Sequence, residues 1–365
     1  MAALNVNIST ARYQAMLGVG GIGTGVFFNV DGDATLGREE SRSGHFSDRR
    51  DYCKLHIISH YVQTLLGVGF VTLPIGRVGA DEAGKRLLNE MGAAGMDLRY
   101  VRSVPGAQTL YSFCIIYPDG SGGNLTTDNS ACDQLLPEDV ERARPDFSRF
   151  QARGIALAAP EAPLACRRKL LEMGTEHHFL RVAAFNSAEI PSALETGLLA
   201  LIDLLALNRD EAAAVAGMHA DDEPPLRLVE AALARLRTIN PALQVTITSG
   251  KEGSWSWDRT HLQHVPAFPA RMVSTAGAGD AFLAGVIAGL AADLPLQLAQ
   301  ELGSLVAALS VTSPHTIDPD IDRRSLNLFS SELSPALSEK VRQLLQDGAE
   351  GAGTISNDPI REENP

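Results

Sequence analysis

The sequence predicts an α/β protein with a mostly parallel central sheet, helices on both of its faces and a small β-rich lid. Short apolar runs of strand length alternate with helical patterns along most of the chain, and two segments interrupt this alternation. Strands that alternate with helices form parallel sheets covered on both faces. The 365 residues are 45% hydrophobic and 21% charged, a composition that supports a sizeable core.

The central sheet is predicted from six short apolar runs. We expect these strands at residues 15–19, 68–73, 155–159, 179–185, 203–207 and 245–248. Helices are expected between them, at residues 81–92, 164–173, 211–216 and 226–236. In the first of these helices Leu87, Leu88 and Met91 share one face, as the helical period requires.

The two interrupting segments predict a lid. Residues 31–50 are charged, and residues 109–127 have the pattern of a hairpin with a turn at Pro118-Asp119-Gly120. We expect a lid built from about residues 24–55 and 104–130, over the carboxyl edge of the sheet, where open α/β sheets bind ligands. No linker divides the chain, so residues 1–345 are predicted to form one domain, followed by a disordered tail at 346–365.

Charge and cysteine content exclude several classes of protein. Lys and Arg number 31 against 44 Asp and Glu, so the formal net charge of −13 argues against a nucleic-acid partner. The N-terminus lacks the pattern of a signal peptide, and the longest apolar run, 281–292, is shorter than the ~20 residues of a membrane span. Four cysteines without a Cys-x-x-Cys pair predict free thiols in a reducing compartment, so we expect a cytoplasmic protein without a membrane partner.

The strongest chemical signal is the stretch Ser274-Thr275-Ala276-Gly277-Ala278-Gly279-Asp280, which precedes an apolar helix. The small residues Gly277, Ala278 and Gly279 allow backbone N–H groups to approach a phosphate at a helix N-terminus. Asp280 is the only charged residue between Ser274 and Asp293. It either caps its helix, a common use of Asp, or takes the proton from an attacking hydroxyl.

This stretch resembles the Asp-Thr-x-Gly-Ala-Gly-Asp signature of ribokinase-like (PfkB) carbohydrate kinases, at all but its first position. The resemblance implies a ribokinase-like three-layer sandwich. It also implies transfer of the ATP γ-phosphoryl group to a hydroxyl of a sugar or sugar-like molecule, including a nucleoside. Asp280 would be the general base, and the N–H groups of Gly277, Ala278 and Gly279 would form the anion hole.

The likeness continues on the nucleotide side. Asn208 and Glu211 resemble the family's Asn-x-x-Glu motif, which implies that they organise Mg²⁺. They would hold it through water, because Mg²⁺ keeps much of its hydration shell. Asn followed three residues later by Glu also fits a capping box. The resemblance further implies that ATP is bounded by the following residues: Asn186, Ser249, Gly250, Lys251, Gly253 and Ala308. For Lys251 the alternative is a solvated turn residue.

The acceptor side matches the family less well. Glu161 falls where the family has an acidic residue near the sugar, and Gly23 and Gly25 lie in the segment after the first strand. Gly25 stands where the family has an Asp that holds two sugar hydroxyls, while Gly44 and Asp48 are the best match to its Gly-Gly-x-x-x-Asn motif. Losing a carboxylate changes hydroxyl selectivity strongly. The acceptor and the identity of the phosphoryl donor therefore stay open.

Two further departures from the family pattern concern its site for a monovalent cation. Ser274 replaces an Asp that helps hold a monovalent cation in the family, and His315-Thr316 stands where Gly-Ala is typical. These replacements argue against activation by potassium. Lids of this fold class often pair, so the resemblance implies a homodimer through the lid, but the sequence does not decide the oligomeric state.

Two rival functions remain at this point. Gly18-Val19-Gly20-Gly21-Ile22-Gly23 is a Gly-x-Gly-x-x-Gly match after a strand, which is the fingerprint of a dinucleotide-dependent oxidoreductase. That fingerprint needs a following helix, and residues 24–33 are poor helix formers. The other rival is a binding protein that keeps the fold but has lost catalysis, which the altered acceptor segments permit and the intact Gly277–Asp280 turn opposes.

Overall fold

The computed structural model describes residues 1–32, 35–37, 39–118, 122–334 and 336–346. Nearly all of the tail that was expected to be disordered, from residue 347 onward, lies outside these residues, and so do Asp119 and Gly120 of the expected hairpin turn.

The chain forms two sheets. The large sheet has nine strands in the order β13-β12-β11-β10-β9-β8-β1-β4-β5, and the small sheet has four in the order β3-β2-β6-β7. The strands are β1 (Ala15–Val19), β2 (Gly23–Val30), β3 (Gly44–Tyr52), β4 (Val71–Gly79), β5 (Val101–Val104), β6 (Leu110–Ile116), β7 (Gly122–Thr126), β8 (Gly154–Ala158), β9 (Leu180–Ala184), β10 (Leu204–Asn208), β11 (Gln244–Thr248), β12 (Ser254–Trp257) and β13 (Leu262–Val265).

Helices cover both faces of the large sheet. They are α1 (Lys54–Leu66), α2 (Glu82–Ala93), α3 (Pro137–Glu141), α4 (Arg144–Phe150), α5 (Leu164–Glu176), α6 (Ile190–Glu195), α7 (Arg209–Ala216), α8 (Pro225–Ile239), α9 (Ala278–Ala291), α10 (Leu296–Ser310), α11 (Arg323–Ser331) and α12 (Glu339–Leu345). The strands from β11 to β5 pair in parallel, whereas β12 and β13 pair antiparallel at one edge. The predicted α/β architecture is confirmed.

Two hydrophobic cores lie on opposite faces of this sheet. Side chains alternate along a strand, so in β1 Met16 joins the core under α1, α9 and α10, while Leu17 and Val19 join the core under α5 and α8. All five residues of β1 are buried, as expected for a central parallel strand. The result is a sandwich of three layers.

The second strand of the large sheet begins later than its sequence pattern predicted. Residues 68–73 were expected to form it, but β4 starts at Val71 and continues through Gly79. Val68 is fully exposed in the turn after α1, where Gly67 has a left-handed φ of 73° and ends the helix.

The small sheet contains the two segments that broke the alternation. The expected hairpin is present, with β6 and β7 paired antiparallel. β2 pairs in parallel with β6 and antiparallel with β3, which ends one residue before the N-cap of α1. Residues 23–30 form a strand, so no helix follows the Gly-x-Gly-x-x-Gly match, and the requirement of the dinucleotide fingerprint is not met.

Within the described ranges, no helix combines the length and the apolar character that a membrane crossing requires. Cys53, Cys114, Cys132 and Cys166 are all free thiols.

Candidate active site

The candidate site lies where the parallel strands of the large sheet end. Polar segments follow the carboxyl ends of β8, β9, β10 and β11, and they begin at the following residues: Glu161, Asn186, Asn208 and Ser249. Because these four strands are adjacent in the sheet, the segments lie side by side along one edge. The small sheet joins this edge through the turn between β1 and β2.

The turn before α9 supplies Asp280. Gly277 is the N-cap of the helix and has a left-handed φ of 79°, a conformation that favours glycine. Among the described residues no hydrogen bond reaches the Asp280 carboxylate, so the capping role is not observed. Its side chain is 13% exposed, and burial raises its pKa above the ordinary value. A largely buried carboxylate that accepts no helix-capping hydrogen bond needs another group to compensate its charge.

The backbone amides of this turn are partly available. The Ala278 N–H donates to the Thr275 carbonyl at 3.2 Å, so this amide is already engaged, which departs from the expectation for the anion hole. The Gly277 and Gly279 N–H groups have no acceptor among the described residues. A Cβ built on Gly279 would meet no atom within 4 Å, so this end of α9 opens onto free space. That arrangement suits an anionic ligand.

Lys54 is the partner of Asp280, and the sequence reasoning missed it. Its Nζ lies 3.9 Å from Asp280 Oδ1, and its side chain is 30% exposed. The charge of Asp280, with those of Glu161 and Glu211 nearby, raises the pKa of Lys54 well above its usual value. Lys54 is the first residue of α1, where the helix dipole disfavours a cation. A lysine at that position was the signal available in the sequence.

Glu161 approaches Lys54 from the loop after β8. One of its carboxylate oxygens, Oε2, accepts a hydrogen bond from the Lys54 backbone N–H at 3.2 Å. Its φ of 68° is left-handed, which is uncommon outside glycine and occurs at functional sites. A Cβ on Gly21 would lie 2.6 Å from this Oε2, so the glycine allows Glu161 to enter. Burial raises the pKa of Glu161, and Lys54 opposes that shift.

Asn208 and Glu211 form the capping box that was the alternative to a metal role. The Glu211 N–H donates to Asn208 Oδ1 at 2.8 Å, and the Asn208 N–H donates to Glu211 Oε2 at 2.8 Å. Burial nevertheless raises the pKa of Glu211 to about 7, against an attraction from Lys54. Glu211 is therefore a buried carboxylate that also faces the site.

The carboxylate and amide groups at Asn208 and Glu211 suit Mg²⁺ that is bound through its water shell. Among the described residues no group of three His, Cys, Asp or Glu side chains lies close enough to hold a metal ion. Both Glu211 oxygens accept hydrogen bonds from Asn208. A carboxylate in this state suits a metal that keeps its water shell, as Mg²⁺ does, and does not suit direct coordination by several side chains.

The expected nucleotide residues lie together beyond Asn208, which is in register with Thr248 of β11. The Ser249 Oγ is buried without a hydrogen-bond partner among the described residues. Gly250 and Gly253 have left-handed φ values of 51° and 90°, and a tight turn joins them, in which the Gly253 N–H donates to the Gly250 carbonyl at 3.0 Å. Lys251 is exposed within this turn.

Two more expected residues border this region. Ala308 is buried on α10, one turn beyond Ser304, whose hydroxyl contacts Ser254 at 3.1 Å. This places Ala308 near the turn that ends at Gly253. Asn186 heads the segment after β9, and its N–H donates to Glu189 at 2.9 Å. The structure therefore brings all the expected nucleotide residues to one stretch of the edge.

The expected acceptor residues are not all brought together. Gly23 is packed against Leu110 and Cys53, so no open space remains beside it. Gly44 pairs with Val30 at the far end of β3. It is seven residues from Asp51, a distance of roughly 20 Å along a strand. The Asp48 side chain is exposed on the same strand. Gly44 and Asp48 therefore lie away from Asp280, whereas Glu161 lies beside it.

Asp51 is the carboxylate that β3 does bring to the site. It is 8% exposed, and its Oδ2 accepts hydrogen bonds from the Ser112 hydroxyl and, at 3.6 Å, from the Cys114 thiol. Burial raises the pKa of Asp51, whereas these bonds and Lys54 lower it. Asp51 in turn raises the pKa of Asp280, so the two carboxylates are close enough to interact. Sequence reasoning chose Asp48, three residues away, on motif spacing.

Thr316 connects the small sheet to the Gly277 turn. Its hydroxyl accepts a hydrogen bond from the Tyr52 N–H at 2.9 Å, and its own N–H donates to the Arg50 carbonyl at 3.1 Å. A Cβ on Gly277 would lie 2.8 Å from the Thr316 carbonyl oxygen. Beside it, His315 Nδ1 accepts from the Arg50 N–H at 3.0 Å. These residues, which depart from the family pattern, hold β3 against the turn.

A cavity of about 830 Å³ lies elsewhere, at the amino ends of β9, β10 and β11. Leu180, Asp203 and Gln244 are among its lining residues. Ligands of open α/β sheets bind at the carboxyl ends of the strands, so this cavity does not belong to the candidate site.

Comparison with known sequences identifies relatives among sugar kinases. The uncharacterized sugar kinase YegV of Escherichia coli (strain K12) is 37% identical over 120 residues, which cover 33% of this chain and 36% of that relative. The chain thus matches about a third of YegV's length. A fructokinase of Klebsiella pneumoniae is 31% identical over 60% of this chain and 70% of its own. A deoxyribokinase of Salmonella typhi is 26% identical over 67% of this chain and 76% of its own.

Solved structures share the fold. A ribokinase of Arabidopsis thaliana, complexed with ribose and ATP, has a TM-score of 0.70 at 20% identity and covers 87% of this chain and 98% of its own. A nucleoside kinase of Burkholderia thailandensis, in complex with inosine, has a TM-score of 0.66 at 18% identity, with coverage of 87% and 98%. The expected ribokinase-like fold is confirmed.

Fold and site together define an enzyme of the ribokinase fold. The model of the pfkB family of carbohydrate kinases matches residues 64–323, which is most of the chain. The protein belongs to this family, whose members are phosphotransferases that act on alcohol groups. The family resemblance noted from the sequence is confirmed.

Proposed function

We propose that this carbohydrate kinase transfers the γ-phosphoryl group of ATP to a hydroxyl of a sugar or sugar-like acceptor, with Asp280 as the general base. The observation that carries the proposal is the Asp280 carboxylate, which no helix cap engages, beside the open Gly279 end of α9. Such a turn offers amides for a phosphoryl group and a base for the attacking hydroxyl within one helical turn.

The proposed step is an in-line displacement. The acceptor oxygen forms a bond to the γ-phosphorus, the bond from that phosphorus to the bridging oxygen of ADP breaks, and Asp280 takes the hydroxyl proton. Lys54 keeps Asp280 ionised among the neighbouring carboxylates. The Gly277 and Gly279 N–H groups hold the transferring group. Because the Ala278 N–H already donates to Thr275, its contribution requires that bond to open.

ATP would lie along the ends of β9, β10 and β11. Ser249, with its buried unpartnered hydroxyl, is a donor for the nucleotide, and Gly250, Gly253, Ala308 and Asn186 bound the space around it. Glu211, oriented by Asn208, would hold Mg²⁺ through water. When bound, Mg²⁺ neutralises phosphate charge and favours the displacement.

The small sheet is the proposed lid of a single kinase domain. β3 leads directly into α1, which carries Lys54, so movement of the sheet would be coupled to the site. Phe46 and Leu125 of this sheet are 63% and 65% exposed, which is compatible with a homodimer through the lid. Four free thiols support a cytoplasmic location.

The test is ADP release with Mg²⁺ and ATP over a panel of acceptors: D-ribose, 2-deoxy-D-ribose, D-fructose and inosine. We expect turnover with at least one neutral acceptor and its loss in Asp280→Asn. ATP binding without turnover on a wider set of alcohols would support the alternative, a catalytically altered binding protein, and would contradict the proposal.

A further inference from the structure

The acceptor side contains a carboxylate, Asp51, that belongs to none of the family motifs and has no role in the proposed phosphoryl transfer. Asp51 is at the inner end of β3, 8% exposed, on the side of the small sheet that packs toward Asp280. Burying a carboxylate costs free energy unless hydrogen bonds compensate it. Ser112 and Cys114 compensate one of its oxygens, Oδ2.

Gly25 makes the room for this carboxylate. The two residues are direct partners in the register of β2 and β3, and a Cβ on Gly25 would lie 2.7 Å from Asp51 Oδ2 and would collide with Ser112. A side chain at position 25 is therefore incompatible with Asp51 in its present place. The glycine on β2 and the aspartate on β3 together deliver one carboxylate to this point of the sheet.

The charges around the acceptor side are unbalanced. Asp51, Glu161 and Asp280 contribute carboxylates, Lys54 contributes the ammonium group that faces them, and the exposed Arg86 donates to Thr24 Oγ1 at 2.8 Å nearby. A second anionic group in an acceptor would meet repulsion from all three carboxylates. Hydroxyl groups, in contrast, donate hydrogen bonds to a carboxylate, and these charge-assisted bonds are stronger than neutral ones.

We propose that Asp51 is a specificity-determining residue that binds hydroxyls of a neutral polyhydroxy acceptor, next to the hydroxyl that is phosphorylated. This inference rests on the proposed function. Ser112 and Cys114 fix the Asp51 carboxylate, so that it is oriented before the acceptor arrives. The site then favours uncharged sugars over sugar acids, because the latter add a carboxylate to an already anionic pocket.

The experiment compares Asp51→Asn with the wild type in steady-state kinetics, using the best neutral acceptor of the panel. Asn keeps the size of the side chain and can still accept from Ser112, but it has lost the charge. We expect KM for the acceptor to rise about 10- to 100-fold, the range for weakened hydrogen bonds to a charged group, with KM for ATP unchanged. Asp31→Asn, at an exposed residue directly after the outer end of β2, is the matched control.

Selectivity gives a second measurement. We compare kcat/KM for D-ribose with that for D-ribonate, and for D-glucose with that for D-gluconate. The wild type is expected to prefer the neutral member of each pair, and Asp51→Asn should narrow the preference. A thermal unfolding curve and the KM for ATP verify that the variant is folded.

The outcomes separate this inference from the proposed function. If the wild type turns over acceptors but Asp51→Asn leaves KM and selectivity unchanged, or if sugar acids are preferred, the role of Asp51 is overturned. If the wild type releases no ADP with any acceptor, the kinase proposal itself fails, whatever Asp51 does.

Discussion

The nucleotide side and the acceptor side of the candidate site are encoded in different ways. On the nucleotide side, Asn208, Glu211 and Ser249 lie at or just after the end of a strand, each in a short motif, and the match to the family model, 64–323, includes them all. On the acceptor side, Asp51 and Lys54 lie outside that match. A sequence motif identifies residues that a single turn holds together. Side chains that meet only because separate elements pack together share no local sequence pattern.

The comparison also separates two uses of glycine. Gly277 and Gly253 have positive φ values that shape the turns of the nucleotide side. Gly21 and Gly25 instead make space, for Glu161 and Asp51 respectively. Gly21, which is part of the match to the dinucleotide fingerprint, therefore serves the close approach of a carboxylate side chain and not the binding of a dinucleotide.

The largest effect is expected where the two sides meet, at Asp280. Asp280→Asn should lower kcat by about 10²–10⁴-fold, the contribution of general-base catalysis, while ATP binding is retained. Titration calorimetry with ATP and steady-state kinetics measure the two effects separately. Asp293→Asn, an exposed aspartate just after the same helix, is the control. A variant within a few-fold of wild-type turnover would contradict the role of Asp280.

The second prediction concerns Glu211 on the nucleotide side and the pH dependence of the free energy of unfolding. Its pKa is about 7 in the folded protein against an ordinary 4.5, so the folded state holds the extra proton between these values. The free energy of unfolding should therefore fall as pH rises from about 4.5 to about 7. In Glu211→Gln this decline should shrink by up to about 3 kcal/mol, the equivalent of the pKa difference between about 7 and 4.5, since the titrating group is gone.

Urea unfolding of the nucleotide-free protein at several pH values measures the decline for Glu211→Gln. The matched control is Glu230→Gln on α8, an exposed residue whose removal should leave the decline unchanged. Equal slopes in Glu211→Gln and the wild type would show that Glu211 does not titrate in this range.

Replacing Lys54 tests whether its charge controls the pKa of Asp280, through the pH dependence of kcat/KM. Without its charge, burial and the nearby carboxylate of Asp51 act on Asp280 unopposed, so the pKa of Asp280 rises. Because the base must be ionised, the acidic limb of kcat/KM in Lys54→Met should move to higher pH, as expected when a carboxylate loses an opposite charge. On the acidic side of that limb we expect a loss of kcat/KM relative to the wild type, recovered at higher pH.

The pH profile of kcat/KM distinguishes this electrostatic role from a structural one. Lys85→Met on α2, which removes an exposed pair with Glu82, should leave the profile in place. An unshifted acidic limb in Lys54→Met would mean that Lys54 only fills space.

The smallest effect is expected at Lys251, which has a place in the nucleotide motif but is exposed. Lys251→Ala should raise KM for ATP by no more than about three-fold, as an exposed charge is screened by water and salt. A larger increase, absent from the same change at the exposed residue Lys340, would assign Lys251 a direct phosphate contact.

The sequence alone determined the alternation of strands and helices, the order of the nucleotide motifs and the turn that carries Asp280. These follow from local rules: side-chain periodicity, glycine conformations and helix-terminal donors act within a few residues. Even there the start of β4 was missed, because Val68 is apolar but lies in the exposed turn that begins after Gly67 ends α1.

Only the tertiary structure decided which acidic side chains face the candidate site. Asp48 and Asp51 are three residues apart on one strand, yet the first is exposed and the second is buried beside Gly25 and Ser112. The register of β2, β3 and β6 makes that choice, and a break in the β2–β3 register between Gly25 and Phe27 is part of it. Lys54 likewise acquires its partner from α9, more than 200 residues away in the chain, through the packing of two helices.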